Sequence, residues 1–302
     1  MSGAPSLPFL GEACALLAAI CWSYATILFR RAGETVPPLA LNLSKNSLTL
    51  VLFVASVLIT QAFPQVPPSA RDRWMLLLSG AIGIGLSDAF YFMTLNRVGA
   101  GLQAIITTSY SPSIIALSIL FLEKRLSLPQ SLGVTLILGA VLAVLYTRGD
   151  PHGLSPRTLA RGVLFGLLAT STQAVSIVMI KPLLEVSPLF WANSWRLLGG
   201  LVVSILLYVV LPARRGDLAA LRSKRLWVAI APGSVLGSYV SLMFWLGGMK
   251  FTQASTAAAL NQTSTLFTFL FAALMLHEPI TRRRMLALAL GLAGIAFVTF
   301  GG

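Results

Sequence analysis

"GETVPPLALNLSK" occupies residues 33–45 and "LEVSPLFWANSWR" residues 184–196. Laid one over the other, Glu34 meets Glu185, Pro37 meets Pro188, Asn42 meets Asn193 and Lys45 meets Arg196. The same offset sets Gly11 on Gly162, Leu16-Leu17-Ala18 on Leu167-Leu168-Ala169, and Arg30 on Lys181, with no gap. With small shifts the match runs on through Trp74 and Trp227, Gly80 and Gly233, Arg97 and Lys250, and Glu123 and Glu278. The chain therefore reads as two related halves, residues 1–150 and 151–302.

What each half contains follows from composition. The 302 residues are 56% hydrophobic and 10% charged, whereas soluble domains carry about 25% charged residues. Such a chain cannot cover a water-facing surface, so an integral membrane protein is expected. A helix crosses the hydrocarbon core in about 20 mostly apolar residues. Ten stretches meet that requirement: roughly 10–29, 39–60, 74–96, 99–122, 129–146, 160–180, 189–211, 226–249, 252–276 and 284–300. The alternation that marks a transmembrane β-barrel is absent. Residues 1–8 hold no Lys or Arg, so the basic head of a signal peptide is missing and the first span is expected to be retained. Five spans per half is an odd number, so the second half enters the membrane from the opposite side. The expected fold is thus all-α, ten transmembrane helices in two inverted-topology repeats, a construction common among secondary transporters.

The net charge of +13 does not point to nucleic acid, because nearly all the basic residues fall between spans. Odd-numbered loops carry fourteen of them and even-numbered loops six. The positive-inside bias then puts both termini outside. The loop "PARRGDLAALRSKR", residues 212–225, dominates that balance. Cys14 and Cys21 lie seven residues apart on one helix, about 10 Å along its axis, too far for a disulfide. Neither a phosphate-binding G-x-x-x-x-G-K-[ST] loop nor H-E-x-x-H occurs, so ATP-driven transport and zinc proteolysis are not indicated. His152 sits in a loop and His277 at a helix end, so no metal or cofactor site is expected.

Lys45 stands about six residues inside span two, and a charge at the centre of a membrane helix costs about 2.5–3.5 kcal/mol on insertion scales. Asn42 and Lys45, like Asn193 and Arg196, are spaced i, i+3 and share a helix face. Snorkelling of the head to the interface is one reading; a substrate-binding pair is the other. Asp88, in "GLSDAFYF", is the acid well inside a span. It is a candidate for proton or substrate coupling, or a static partner for Lys45 or Arg196. "TTSYSPS", Thr107 to Ser113, breaks span four with polar groups where "NQTST", Asn261 to Thr265, breaks span nine. Interruptions at matching places point to a binding site, and Pro112 should bend its helix. Thr108, Tyr110, Asn261 and Gln262 are the candidates there, against the alternative that they are hydrogen-bonding glue between helices. Trp22 and Tyr24 on span one, Tyr91 on span three and Gln173 on span six are candidate neighbours. The pairs Gly162/Gly166 and Gly233/Gly237 are spaced for close helix approach.

The order of these features resembles the EamA-type branch of the drug/metabolite transporter superfamily. The resemblance rests on Trp22-Ser23, on Pro37 and Pro188 each followed by a basic residue, and on "LEKRLSLPQSLG" (122–133) and "HEPITRRR" (277–284) with the Gly139 and Gly294 that follow. It implies ten helices around a central cavity, with spans five and ten at the periphery, and export or exchange of amino acids, other metabolites or toxic compounds. It also implies cytoplasmic termini, against the loop charges. Gln173 stands where the second half of a family member often has Trp, and Lys45 where Arg is more familiar. The expected activity is secondary transport, not enzymatic catalysis. The protein would move a small polar metabolite, an amino acid or related carboxylate, across a bacterial-type plasma membrane. A phosphorylated-metabolite exchanger, an organic-cation exporter and a channel are the alternatives. The expected partners are the substrate and the lipid bilayer; oligomeric state is left open.

Overall fold

A computed structural model describes residues 9–122, 127–145, 154–210, 224–252 and 260–300. The expectations placed on Glu123, His152 and the basic loop at 212–223 lie outside the described residues. Among those described, the secondary structure is entirely helical. Seven helical runs are long and apolar enough to cross a membrane, and Leu128–Val144 and Leu260–Leu276 are shorter apolar helices.

The elements are α1 (Leu10–Ala32), α2 (Pro38–Thr60), α3 (Ala70–Gly80), a π-helical segment (Ala81–Leu86), α4 (Ser87–Val98), α5 (Ala100–Thr107), α6 (Tyr110–Leu122), α7 (Leu128–Leu145), α8 (Pro156–Val186), α9 (Leu189–Val210), α10 (Lys224–Gly233), a second π-helical segment (Ser234–Val240), α11 (Ser241–Phe251), α12 (Ser264–Leu276) and α13 (Arg282–Phe300). Local chemistry sets several of the boundaries. Pro38 opens α2 and Pro156 opens α8, where a missing N–H costs nothing. Ser69 and Asp72 form a reciprocal capping box at the start of α3. α3 and α10 each run on into a π-helical turn (Ala81–Leu86 and Ser234–Val240).

Span four is broken. α5 ends at Thr107, and Thr108 and Ser109 donate their N–H groups three residues back, to Ile105 and Ile106. Pro112, expected to bend this span, sits in the first turn of α6 just past the break. Having no N–H, it cannot reach the Thr108 carbonyl, which accepts from the Ser111 N–H at 3.3 Å instead. The matching span has a turn at Thr263, one residue after Gln262.

Lipid is as apolar as leucine, so helices here associate through close packing and hydrogen bonds rather than by escape from water. α1 packs on α11 and α12, and α8 packs on α4 and α6. α2 crosses α9, and α7 lies along α13. Glycines allow the tightest crossings. A Cβ at Gly133 would lie 2.7 Å from the Gly294 carbonyl, and one at Gly294 would lie 2.7 Å from that of Gly133. Gly139, singled out in the sequence, faces open space instead. Gly162 and Gly166 seat Val98 and Ile106, and Gly233 and Gly237 seat Phe29 and Ala25, as their spacing suggested. Phe29 packs edge-on to Phe92 at 5.3 Å in the core between α1 and α4.

A further long-range contact caps the start of α5. The Glu278 carboxylate accepts the N–H groups of Ala100 (2.7 Å) and Gly101 (3.0 Å), capping α5, and lies 3.7 Å from Arg284. Charge-assisted hydrogen bonds contribute about 1.5–3 kcal/mol each. Glu278→Ala is therefore expected to lower the melting temperature in detergent by several degrees, and Glu278→Gln to recover part of the loss.

Candidate functional site

Most hydroxyls in the spans are satisfied locally. Ser44, Ser47 and Thr49 on α2 each donate to the carbonyl four residues earlier, as serine and threonine do in apolar helices. Among the groups that reach between helices, the charged ones Lys45, Asp88 and Arg196 lie with their partners where α2, α3, α4, α8 and α9 meet.

Lys45 is buried, and its Nζ lies 2.5 Å from Asp88 on α4. One turn earlier, the Asn42 amide donates to the Gly85 carbonyl at 3.0 Å, a carbonyl in the π-helical segment where the regular ladder is interrupted. Two rungs one turn apart thus hold α2 against the third span. The snorkelling reading of Lys45 gives way to an internal ion pair. Asn46, which sequence reading passed over, is fully buried between Asn42 and Ser204 of α9 and donates to both.

Arg196 is equally buried but differently placed. Its Nε donates to Ser79 Oγ (3.2 Å), one terminal nitrogen to Asn193 Oδ1 (3.1 Å) and the other to Ser176 Oγ (3.3 Å). Ser79 and Ser176 are themselves joined, hydroxyl to hydroxyl at 3.0 Å and each to the other's carbonyl. Among the described residues no carboxylate pairs with this guanidinium. Asp88 and Tyr110 lie within its electrostatic reach. Two cations and one carboxylate leave this region with a net charge of +1.

Other candidates flank the group. Tyr91 shares a hydrogen bond with Thr26 (2.9 Å) and packs on Trp22, ring centroids 5.9 Å apart. Gln173, one turn before Ser176 on α8, lies against Gly83. Tyr110, within electrostatic reach of Arg196, is half-buried; Asn261 and Gln262 are half-buried as well, but no contact among the described residues sets them against the group. Two more candidates are not brought to the group. Tyr24 lies on the exposed side of α1 against Phe271. Thr108 bonds the Ile105 carbonyl and faces Gly291 of α13. Ser79 and Ser176 escaped sequence reading because a serine inside a span is ordinary, and nothing local marks which one meets an arginine.

A model of the EamA-like transporter family matches residues 9–146 and again 160–300. The chain belongs to the EamA-like transporter family. It is thereby a multi-pass membrane transporter of the drug/metabolite transporter superfamily. This EamA-like chain is similar to a protein named an uncharacterized transporter in Archaeoglobus fulgidus, 24% identical over 268 residues, 89% of this chain and 90% of that protein. The uncharacterized transporter YoaV of Bacillus subtilis is 25% identical over 132 residues, 44% of this chain and 43% of its own. A solved crystal structure superposes with a TM-score of 0.64 over 95% of each chain at 17% identity, a likeness of fold. The polar group on α2, α4 and α9 is therefore a group inside an EamA-like transporter.

Proposed function

We propose that this EamA-like protein is a secondary transporter that moves a small polar metabolite, an amino acid or a related carboxylate, by alternating access. The observation that carries the reading is the group of buried Lys45 and Arg196 with half-buried Asp88, with its net charge of +1, inside membrane spans. Buried ionisable groups at membrane depth are costly and mark substrate or ion pathways, and a net positive site favours a carboxylate. The substrate's carboxylate is drawn by the net positive charge of this region, and Tyr110, Gln173 and the amides of Asn261 and Gln262 line the polar remainder.

The transporter comprises ten spans in two inverted five-helix halves, 1–150 and 151–302. Matching π-helical turns in spans three and eight and matching breaks in spans four and nine support this reading. So does the double match of the family model. The protein resides in a bacterial-type plasma membrane. Loop charges favour both termini outside, and reporter fusions at each end would read that orientation directly.

Counterflow in proteoliposomes tests the function. Labelled amino acids and short carboxylates are expected to accumulate transiently and saturably in vesicles loaded with the same compound. Flux without saturation or counterflow would mean a channel. Uptake confined to phosphorylated sugars or organic cations would replace the substrate class.

A further inference from the structure

Lys45 and Arg196 are equivalent by sequence, yet their surroundings differ, and two hydrogen bonds fix the comparison. Ser87 donates to the Ala169 carbonyl at 2.8 Å and Ser241 to the Ala18 carbonyl at 3.0 Å. Ala18 and Ala169 are counterparts under the offset that pairs Lys45 with Arg196. By these contacts Ser87 matches Ser241 and Asp88 matches Leu242, one place on from the offset that pairs Gly80 with Gly233 and sets Asp88 on Ser241; neither Leu242 nor Ser241 is acidic. The second half lacks the carboxylate that neutralises the first half's cation.

Arg196 instead points at three neutral oxygens, of Ser79, Asn193 and Ser176. These use three of the five N–H donors of a guanidinium and cancel none of its charge. A buried cation with no carboxylate in direct contact is destabilising, so Arg196 is the cation that a negative group would stabilise. Lys45 is already paired with Asp88. With the Asn42 contact it pins α2 on α4, and these helices pack together. The equivalent pair, α9 and α11, has no comparable packing among the described residues.

We infer a division of labour: Arg196, held by Ser79, Ser176 and Asn193, anchors the single carboxylate of the ligand, while Lys45–Asp88 does not touch the ligand and latches α2 to α4. The inference rests on the carboxylate-transport reading and sharpens it. One uncompensated cation suits a group with one negative charge. A phosphate dianion or a dicarboxylate would leave a second charge buried without a partner. The latch has to open and re-form each time the two halves exchange arrangements.

The test is thermal stability of the full-length protein in detergent against L-amino acids, acetate, lactate, succinate, inorganic phosphate and the organic cation tetraethylammonium, because a ligand of the folded state raises the melting temperature with its concentration. Amino acids or monocarboxylates are expected to stabilise the wild type more than succinate or phosphate does. The shift should vanish in Arg196→Gln and shrink in Arg196→Lys. Unliganded Arg196→Gln should melt no lower than the wild type, since it removes a buried charge, and this separates lost binding from lost folding. The double variant Lys45→Met/Asp88→Leu should keep the carboxylate shift and lose counterflow. A carboxylate shift that survives Arg196→Gln, or disappears in the double variant, would overturn the assignment while carboxylate transport still stood. Stabilisation by organic cations alone, lost in Asp88→Asn, would overturn the carboxylate reading itself.

Discussion

Lys45→Ala is expected to abolish saturable counterflow and to lower stability sharply, with the protein still inserted in the membrane. The reason lies in what remains. Truncating Lys45 leaves Asp88 on α4 facing an apolar gap, with its side chain 23% exposed. Removing one partner of a buried ion pair costs about 3–5 kcal/mol; the partial exposure of Asp88 places this case at the lower end. Insertion is not at risk, because taking a charge out of span two makes that span more apolar. Lys45→Met/Asp88→Leu provides the contrast. It removes both charges together and keeps apolar volume, so stability should return to near the wild-type value while the latch stays lost. Melting curves of the two variants, with counterflow in the same preparations, read the two effects separately. Full counterflow in Lys45→Ala would return the residue to a purely architectural role.

Gly80→Val should have the other large effect: little folded protein, and no transport from what folds. Gly80 of α3 lies directly against the backbone carbonyl of Arg196, and Gly199 of α9 lies against that of Leu77. Each helix thus presents a glycine to the other's main chain, and only a hydrogen fits at either place. Added methylenes in a packed interior cost about 1–3 kcal/mol when neighbours can adjust. Here the obstacle is backbone on a second helix, so α3 and α9 have to move apart. The damage is also functional, because α3 carries Ser79, a partner of Arg196. Gly139→Ala is the control. Nothing lies within 4 Å of a Cβ there, and replacing glycine by alanine inside a helix contributes about 0.8–1.0 kcal/mol in peptide hosts. Gly139→Ala should therefore melt at or above the wild type, as measured by thermal unfolding in detergent.

The amino-acid sequence by itself determined the class of this molecule. Hydropathy marks the apolar runs, proline opens α2 and α8, and the family can be read from the order of Trp22-Ser23, the two prolines and the two basic residues. These signals are legible because each depends on residues close together along one helix. Sequence also placed Lys45, Asn42, Arg196, Asn193 and Asp88 in the interior, because charged and amide groups stand out against an apolar background.

Tertiary structure decided what each of them meets. The sequence allowed Asp88 to partner either cation; packing α2 on α4 gave it to Lys45. The sequence made Lys45 and Arg196 equals; the crossing of α3, α8 and α9 gave Arg196 two serines that no local pattern distinguishes. Tyr24 and Thr108 looked as polar as Tyr91 and Tyr110, yet their helix faces turn toward the exterior and toward α13. The physical reason is common to all three cases. Polarity is a property of one side chain, whereas a counter-charge, a cavity wall or a lipid-facing stripe is set by which helices cross and at what rotation. In this chain those crossings are fixed by glycines that meet backbone more than a hundred residues away.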